Sequence, residues 1–425
     1  MLSTLQRFQV SWAGLACFPG YRLLIDDKRM TPREPDFDEL LNRRESESFK
    51  WREYPDDVLP LFVADMDFRS PEPVAQALRA YVDDGVFGYP RGLHTFDLAE
   101  LPELPDIVVE RMAQRYDWRI APCDVVIIPG VVPGLNLACH ALASQGGAVL
   151  VQPPVYPPVL SAPRNAHLQR QEAPLVWQSD STYAVDWDSF ASAITPDTRM
   201  FLLCNPHNPV GRVFRRGELL RMAEICLSRR VTICADEIHS DLLFSGHEHI
   251  PIASLDPEIG LHTITLIAPS KTFNLAGLQC GFAIIPNTEL RRQFQASREG
   301  LAPWVNAMGL IGAEAAYRAG QSWLDRLIPY LEANRDFLGD FVKRELPRIK
   351  MTKPEGTYLA WLDCRALGLN NPYEFFLKHA RVALNNGQTF GTGGAGFVRL
   401  NFGCPRAILE EALKRMKESM RSLAD

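Results

Sequence analysis

From about Phe37 to Arg335, short apolar runs alternate with segments of helical periodicity, and that alternation leaves few folds open to the chain. The runs Val125–Ile128, Val149–Gln152, Phe201–Cys204, Thr232–Ala235 and Thr263–Ala268 are nearly devoid of polar residues, as strands are when a sheet is covered on both faces. Pro133–Ser144 and Gly217–Arg229 carry the period of helices lying between them. Strands alternating with helices predict an α/β fold with a mostly parallel sheet. After about residue 300 the texture changes. A long amphipathic helix over Trp323–Glu345 is followed by a strand at Thr357–Asp363, a helix near Pro372–His379, a strand at Phe397–Phe402 and a closing helix at Pro405–Leu423. The expected organisation is an N-terminal arm (1–40), a large domain (41–300, with 41–70 partly associated with the small one) and a smaller α+β C-terminal domain (301–425).

Composition narrows the function. A formal charge of -6, with no basic run longer than Arg43-Arg44 or Arg215-Arg216, gives nothing to hold a phosphate backbone or an anionic membrane. No stretch approaches the roughly 18 apolar residues of a membrane span. The apolar run Phe8 to Pro19 is broken by Gln9 and Ser11 and reads as an extension, not a signal peptide. Nine scattered cysteines, without a CxxC pair, read as thiols of a reducing, cytoplasmic compartment.

Three strand ends deliver Asn205, Asp236 and the Ser270-Lys271 pair to one edge of the expected sheet, where ligands of open α/β sheets bind. A lysine beside an apolar strand is a candidate for a desolvated amine able to form a Schiff base. Asp236, leaving a buried strand, needs a cationic partner to be tolerated there; helix capping is its plainer reading. Gly130-Val-Val-Pro-Gly134, between a strand and a helix, can offer the N–H groups of Val131 and Val132 to a phosphate, with the Ser270 hydroxyl as a further donor. Two other patterns imitate sites. Gly391-Thr-Gly-Gly-Ala-Gly396 looks like a dinucleotide loop but precedes a strand. His247-Glu-His249 lacks a third metal ligand nearby and is expected to be an exposed turn, so no metal is expected.

Taken in order, Cys204-Asn-Pro-His-Asn-Pro-Val-Gly-Arg212, Ala235-Asp-Glu-Ile-His-Ser-Asp241, Ala268-Pro-Ser-Lys-Thr-Phe-Asn-Leu-Ala-Gly-Leu-Gln279 and Phe397-Val-Arg-Leu-Asn401 resemble the fold type I enzymes of the class I/II aminotransferase superfamily. The resemblance implies pyridoxal 5'-phosphate (PLP) bound to Lys271, with Asp236 at the ring nitrogen and Asn205 at the phenolic oxygen. His239 stands where many relatives place a tyrosine for that oxygen, and a structural role is equally open to it. Tyr156, in Pro153-Pro-Val-Tyr-Pro-Pro158, would stack on the ring, and Arg399 would take the substrate carboxylate. Leu59-Pro-Leu-Phe-Val-Ala-Asp-Met-Asp-Phe68 and Phe87-Gly-Tyr-Pro90 resemble the cystathionine β-lyase branch, the MalY/PatB-type C–S lyases. Within it Asp65 is expected near the substrate, and Tyr89 would reach the partner's cofactor phosphate in a homodimer.

That branch implies β-elimination from a small S-substituted amino acid: Lys271 removes the Cα proton, a thiolate leaves, and pyruvate and ammonia follow. Gln279, eight residues after Lys271, replaces the arginine usual in transaminases. An aminotransferase and a non-catalytic PLP-fold protein are the competing readings. The insertion after Tyr89, Pro90–Pro105, has no counterpart in the branch, and His94–Pro105 within it reads as a loop.

Overall fold

The computed structural model describes residues 34–90, 103–143 and 146–423; the remainder of the expected arm, residues 91–102 of the insertion, and Cys17 lie outside the described residues. Its centre is a seven-stranded sheet built from β1 (Val125–Ile128), β2 (Ala148–Val151), β3 (Gln169–Glu172), β4 (Thr198–Cys204), β5 (Thr232–Asp236), β6 (Thr263–Ile267) and β7 (Gly281–Ile284). The order across the sheet is β1-β7-β6-β5-β4-β2-β3. Only β7 runs against the others, lying between β1 and β6. Every residue of β1, β2 and β6 is buried, which explains why these segments read as unbroken apolar runs and not as alternating ones.

Helices cover both faces. Leu135, Val149, Val151 and Leu266 form one core, and Phe201, Phe214, Met222 and Ile233 form the other. Helix α1 (Glu72–Asp83) packs on the helix Ala307–Ala319, and helix α2 (Glu103–Tyr116) packs on that helix and against β1 and β7. Helix α2 corrects an expectation, since Glu103–Pro105 open a helix instead of ending a loop. Helix α3 (Val131–Ala143) starts directly above the end of β1. Gly134 lets it lie close, because a Cβ there would sit 2.7 Å from Ile128 Cδ1.

A smaller sheet combines β8 (Lys350–Met351), β9 (Leu359–Asp363), β10 (Asn385–Asn386) and β11 (Phe397–Asn401) in the order β8-β9-β11-β10. It packs with the long helix Gln321–Glu345 and the closing helix Arg406–Met420 around Leu331, Leu338, Leu362, Leu400 and Leu413. The N-terminal segment joins this core: Leu59–Pro60 pairs in parallel with Val382–Ala383, and Leu61, Met66 and Phe68 are buried in it. Part of the stretch expected to be an arm is packed as well. Phe37 meets Phe68 and Trp323 edge-on at 5.1 and 5.7 Å, and Glu34 pairs with Arg326 at 3.0 Å. No described helix is long and apolar enough to cross a membrane.

The glycine-rich loop before β11 serves backbone packing. A Cβ on Gly394 or on Gly387 would fall 2.0 or 2.3 Å from the other residue's carbonyl oxygen, so neither position has room for a side chain.

Candidate active site

Parallel pairing sets the site. The ladder between β4 and β5 places Cys204 opposite Asp236, and Asn205 N–H donates to the Asp236 carbonyl at 2.9 Å. Next to it, the short helix Pro269–Thr272 follows β6 and presents Ser270 and Lys271. Asn205, Asp236 and Lys271 therefore meet at the carboxyl edge of the sheet, as their positions after apolar runs implied.

The Lys271 amine donates to the carbonyl of Ala64 at 2.6 Å, and the Tyr358 hydroxyl donates to the same oxygen at 2.8 Å. Burial pushes the amine down to about 8, with Arg399 adding to that effect and Asp65 and Asp236 opposing it. The segment carrying Ala64 is held from two sides: Asn401 donates to the carbonyls of Val63 and Asp65, while Asn274 bonds the backbone of Met66 and Phe68. Asp65 is fixed by Arg43 at 3.0 Å and lies 3.5 Å from the buried Lys50 amine, which itself pairs with Asp67 at 2.8 Å. Its Oδ1 is buried without a hydrogen bond. The branch-specific segment thus sets a carboxylate and a carbonyl beside the lysine.

Asp236 is 4% exposed and accepts a hydrogen bond from Ile238 N–H at 3.2 Å. Burial raises it to about 7, and Glu237 adds to the rise against the Ile238 N–H and Lys271. A carboxyl group so placed is completed by a cation. No helix follows it, so it caps nothing. His239 is also buried, edge-on to the Tyr358 ring at 5.9 Å, with its Nδ1 unpartnered. Burial, with Lys271 and Arg399 adding, lowers it to about 3, so it faces the site as a neutral ring.

Asn205 Oδ1 accepts from Phe214 N–H at 3.0 Å, and its Nδ2 lies 3.5 Å from His249 Nδ1. This corrects the exposed-turn expectation for His247-Glu-His249. His249 is 3% exposed, and its Nε2 is 2.9 Å from Glu237 Oε2. Burial of a polar ring is tolerated there because a carboxylate partner twelve residues earlier meets it, and no local pattern announces that partner. Among the described residues no group of His, Cys, Asp and Glu is arranged to hold a metal.

At the far end, α3 begins with Val131 and Val132 after Gly130, whose φ of 111° belongs to glycine. The N–H groups of this first turn lack helical acceptors, and with Ser270 they can hold a phosphate. Tyr156 leads into the helix Pro157–Asn165, its N–H donating to the Asn208 carbonyl at 3.0 Å. Arg399, on β11, comes from the smaller sheet. Its guanidinium donates to Asn208 Oδ1 at 3.1 Å and to the Phe62 carbonyl at 2.7 Å, while Nε is buried and unpartnered. Burial lowers it to about 10, against the influence of Tyr156 and Tyr358.

One expected residue lies apart. Tyr89 is 88% exposed and lies among exposed apolar neighbours, Val86 and Phe87. Gln279 is exposed in the left-handed region at φ 52°. Sequence reasoning missed Tyr358, Asn208, Glu237 and the buried Lys50. Asn208 and Glu237 lie inside quoted motifs and Tyr358 within an expected strand, whereas buried lysines have no sequence signature.

Comparison with known proteins places this geometry in context. Residues 56–416 match the family model described as aminotransferase class I and II. The chain is 41% identical over 394 residues to the protein named cystathionine beta-lyase PatB of Bacillus subtilis (strain 168), covering 90% of this chain and 99% of that one. It also superposes on cystalysin of Treponema denticola, a structure described as containing a pyridoxal 5'-phosphate cofactor, with a TM-score of 0.85, 32% identity and coverage of 91% and 99%. A PLP-bound C-S lyase of Staphylococcus hominis matches with a TM-score of 0.83, 29% identity and coverage of 91% and 98%.

Proposed function

Because the chain belongs to the class I and II aminotransferase family, we propose that it is a pyridoxal 5'-phosphate-dependent carbon–sulfur β-lyase, cleaving cystathionine or related S-substituted L-cysteines to a thiol, pyruvate and ammonia. The observation that carries this reading is the convergence of Lys271, Asp236 and Arg399 in one buried site, in a chain whose curated relatives include named cystathionine β-lyases. The residues fit the cofactor. Asp236 would meet a protonated ring nitrogen, Asn205 and His239 would serve the phenolic oxygen, Tyr156 would cover the ring, and Val131, Val132 and Ser270 would hold the phosphate.

When bound, PLP supplies an electron-withdrawing ring in conjugation with the substrate's Cα. The protein does the rest. Arg399 takes the substrate carboxylate through its two-pronged guanidinium and fixes which Cα bond faces Lys271. Lys271 has an appreciable free-base fraction near neutral pH because burial depresses its amine to about 8, and it is the group placed to remove the Cα proton. The Ala64 carbonyl and Tyr358 hydroxyl hold that amine in place between proton transfers. Asp65 supplies negative charge beside the amine. Loss of thiolate from Cβ then completes elimination. An exposed, neutral Gln279 in place of an arginine favours the lyase branch over transamination.

The deciding experiment incubates PLP-loaded protein with L-cystathionine and with S-alkyl cysteines. Equal amounts of pyruvate and thiol, formed without an added 2-oxo acid, support elimination; amino transfer that depends on a 2-oxo acid moves the enzyme to the aminotransferases. Arg399→Ala is expected to lower kcat/KM for S-methyl-L-cysteine by about 10²-fold, as for loss of a charge-assisted pair, and to spare the decarboxylated amine. Equal losses on both compounds would remove Arg399 from carboxylate binding.

The exposed Val86, Phe87 and Tyr89 support a homodimer in which Tyr89 reaches the partner's cofactor phosphate. Sedimentation at micromolar concentration is expected to give twice the chain mass, and Tyr89→Ala to release PLP more readily; a monomer that retains PLP equally well defeats this arrangement. Among the described residues the cysteines are free and seven of them are buried, which supports a cytoplasmic location that fractionation of the source cells checks.

A further inference from the structure

The side chain of Asn205 is held from behind. Its amide oxygen is occupied by Phe214 N–H, and its nitrogen has one near acceptor, His249 Nδ1 at 3.5 Å. For Nδ1 to accept, the imidazole must carry its proton on Nε2. Glu237 fixes that tautomer, because its Oε2 lies 2.9 Å from Nε2 while its Oε1 accepts from Ile252 N–H at 3.1 Å. Asn205, His249 and Glu237 are 0%, 3% and 1% exposed, so water does not compete for these bonds. The remaining face of His249 is closed by the Tyr116 ring, edge-on at 5.5 Å, whose hydroxyl donates to Asp241; the neighbouring charge is Asp236, next to Glu237 in the chain. One N–H of the Asn205 amide is thus committed to His249, and the other is left for a ligand.

We propose that Glu237 and His249 are positioning residues that act through Asn205: they fix its amide as a donor toward the cofactor's phenolic oxygen and thereby set the proton affinity of the bound cofactor. The proposal rests on the PLP reading above. A donor to a phenolic oxygen favours its anionic form. Loosening that donor raises the pH at which the bound cofactor loses its proton.

The test is a pH titration of the visible absorbance of the PLP-loaded protein and its variants, a readout independent of turnover. His249→Phe keeps an aromatic ring and removes both nitrogens; its midpoint is expected to rise by about 0.5 to 1 pH unit, the scale of one weakened hydrogen bond. Glu237→Gln, which releases the tautomer but keeps a polar partner, is expected to shift it in the same direction by less. Asn205→Ala gives the full displacement, and adding His249→Phe to it should change nothing further. A wild-type midpoint in His249→Phe overturns the proposal, as does an equal shift with and without Asn205. Should His249→Phe fail to fold, Glu237→Gln in the two Asn205 backgrounds decides the same question. A wild-type protein with no visible band at all would remove the cofactor reading itself, whereas a visible band that does not titrate would overturn this proposal alone.

Discussion

Lys271→Ala is expected to lower pyruvate formation from L-cystathionine by roughly 10⁴-fold or more, because one change removes both the covalent anchor and the base. The protein should still bind PLP, since Asp236, Asn205 and the first turn of α3 stay in place, but without the visible band of the lysine-linked form. Two observations make the lysine suited to its task. It is depressed to about 8, so an appreciable fraction is a free base near neutrality, and it is already aimed by the Ala64 carbonyl at 2.6 Å. A small primary amine added to the medium should restore part of the proton transfer in the alanine variant. Activity in Lys271→Ala above about 1% of wild type would mean that another group abstracts the proton.

Asp236→Asn is expected to cost about 10² to 10³-fold in kcat, the scale of removing one preorganised electrostatic partner. It should have the opposite effect on the stability of the cofactor-free protein. The Asp236 carboxyl is raised from 3.8 to about 7 in the folded chain, so between those values the folded state holds a proton that the unfolded state has lost. Stability conferred at this site therefore falls as pH rises through that window, and above it the buried carboxylate is charged without its cation. An amide has no such cost. Cofactor-free Asp236→Asn is expected to melt above cofactor-free wild type at pH 8, with the difference shrinking toward pH 4. With PLP bound the order should reverse. A difference in melting that does not change with pH would contradict this account of Asp236.

The legible parts of this site were those written locally. An apolar run covered on both faces cannot avoid reading as a strand, so β1, β2, β4, β5 and β6 and the residues at their ends stood out in the sequence. Arg399 was legible only through its motif, because what makes it a site residue is contact with Phe62 and Asn208, far away in the chain. His249 was misread for the same reason: Gly246-His-Glu-His249 has the composition of a surface turn, and Glu237 and Asn205, which bury it, are not local. Lys50 shows the limit most plainly. Lysine is ordinarily a surface residue, and only the folded segment 59–68 brings Asp65 and Asp67 around it. The antiparallel β7 was missed because its four residues, Gly281–Ile284, carry a weak signal and direction is not encoded in apolarity.

That reversed strand bears on how the molecule comes into being. Strand β1, which seats the first turn of α3, pairs in the sheet with β7 alone, and β7 lies roughly 150 residues downstream. At synthesis rates of about 5 to 20 residues per second, the emerging N-terminal half spends on the order of ten seconds with an unpaired apolar strand. The growing chain is thus most in need of a chaperone before Gly281–Ile284 is made, and a truncation ahead of that point would leave β1 as an aggregation-prone segment with no native place to go.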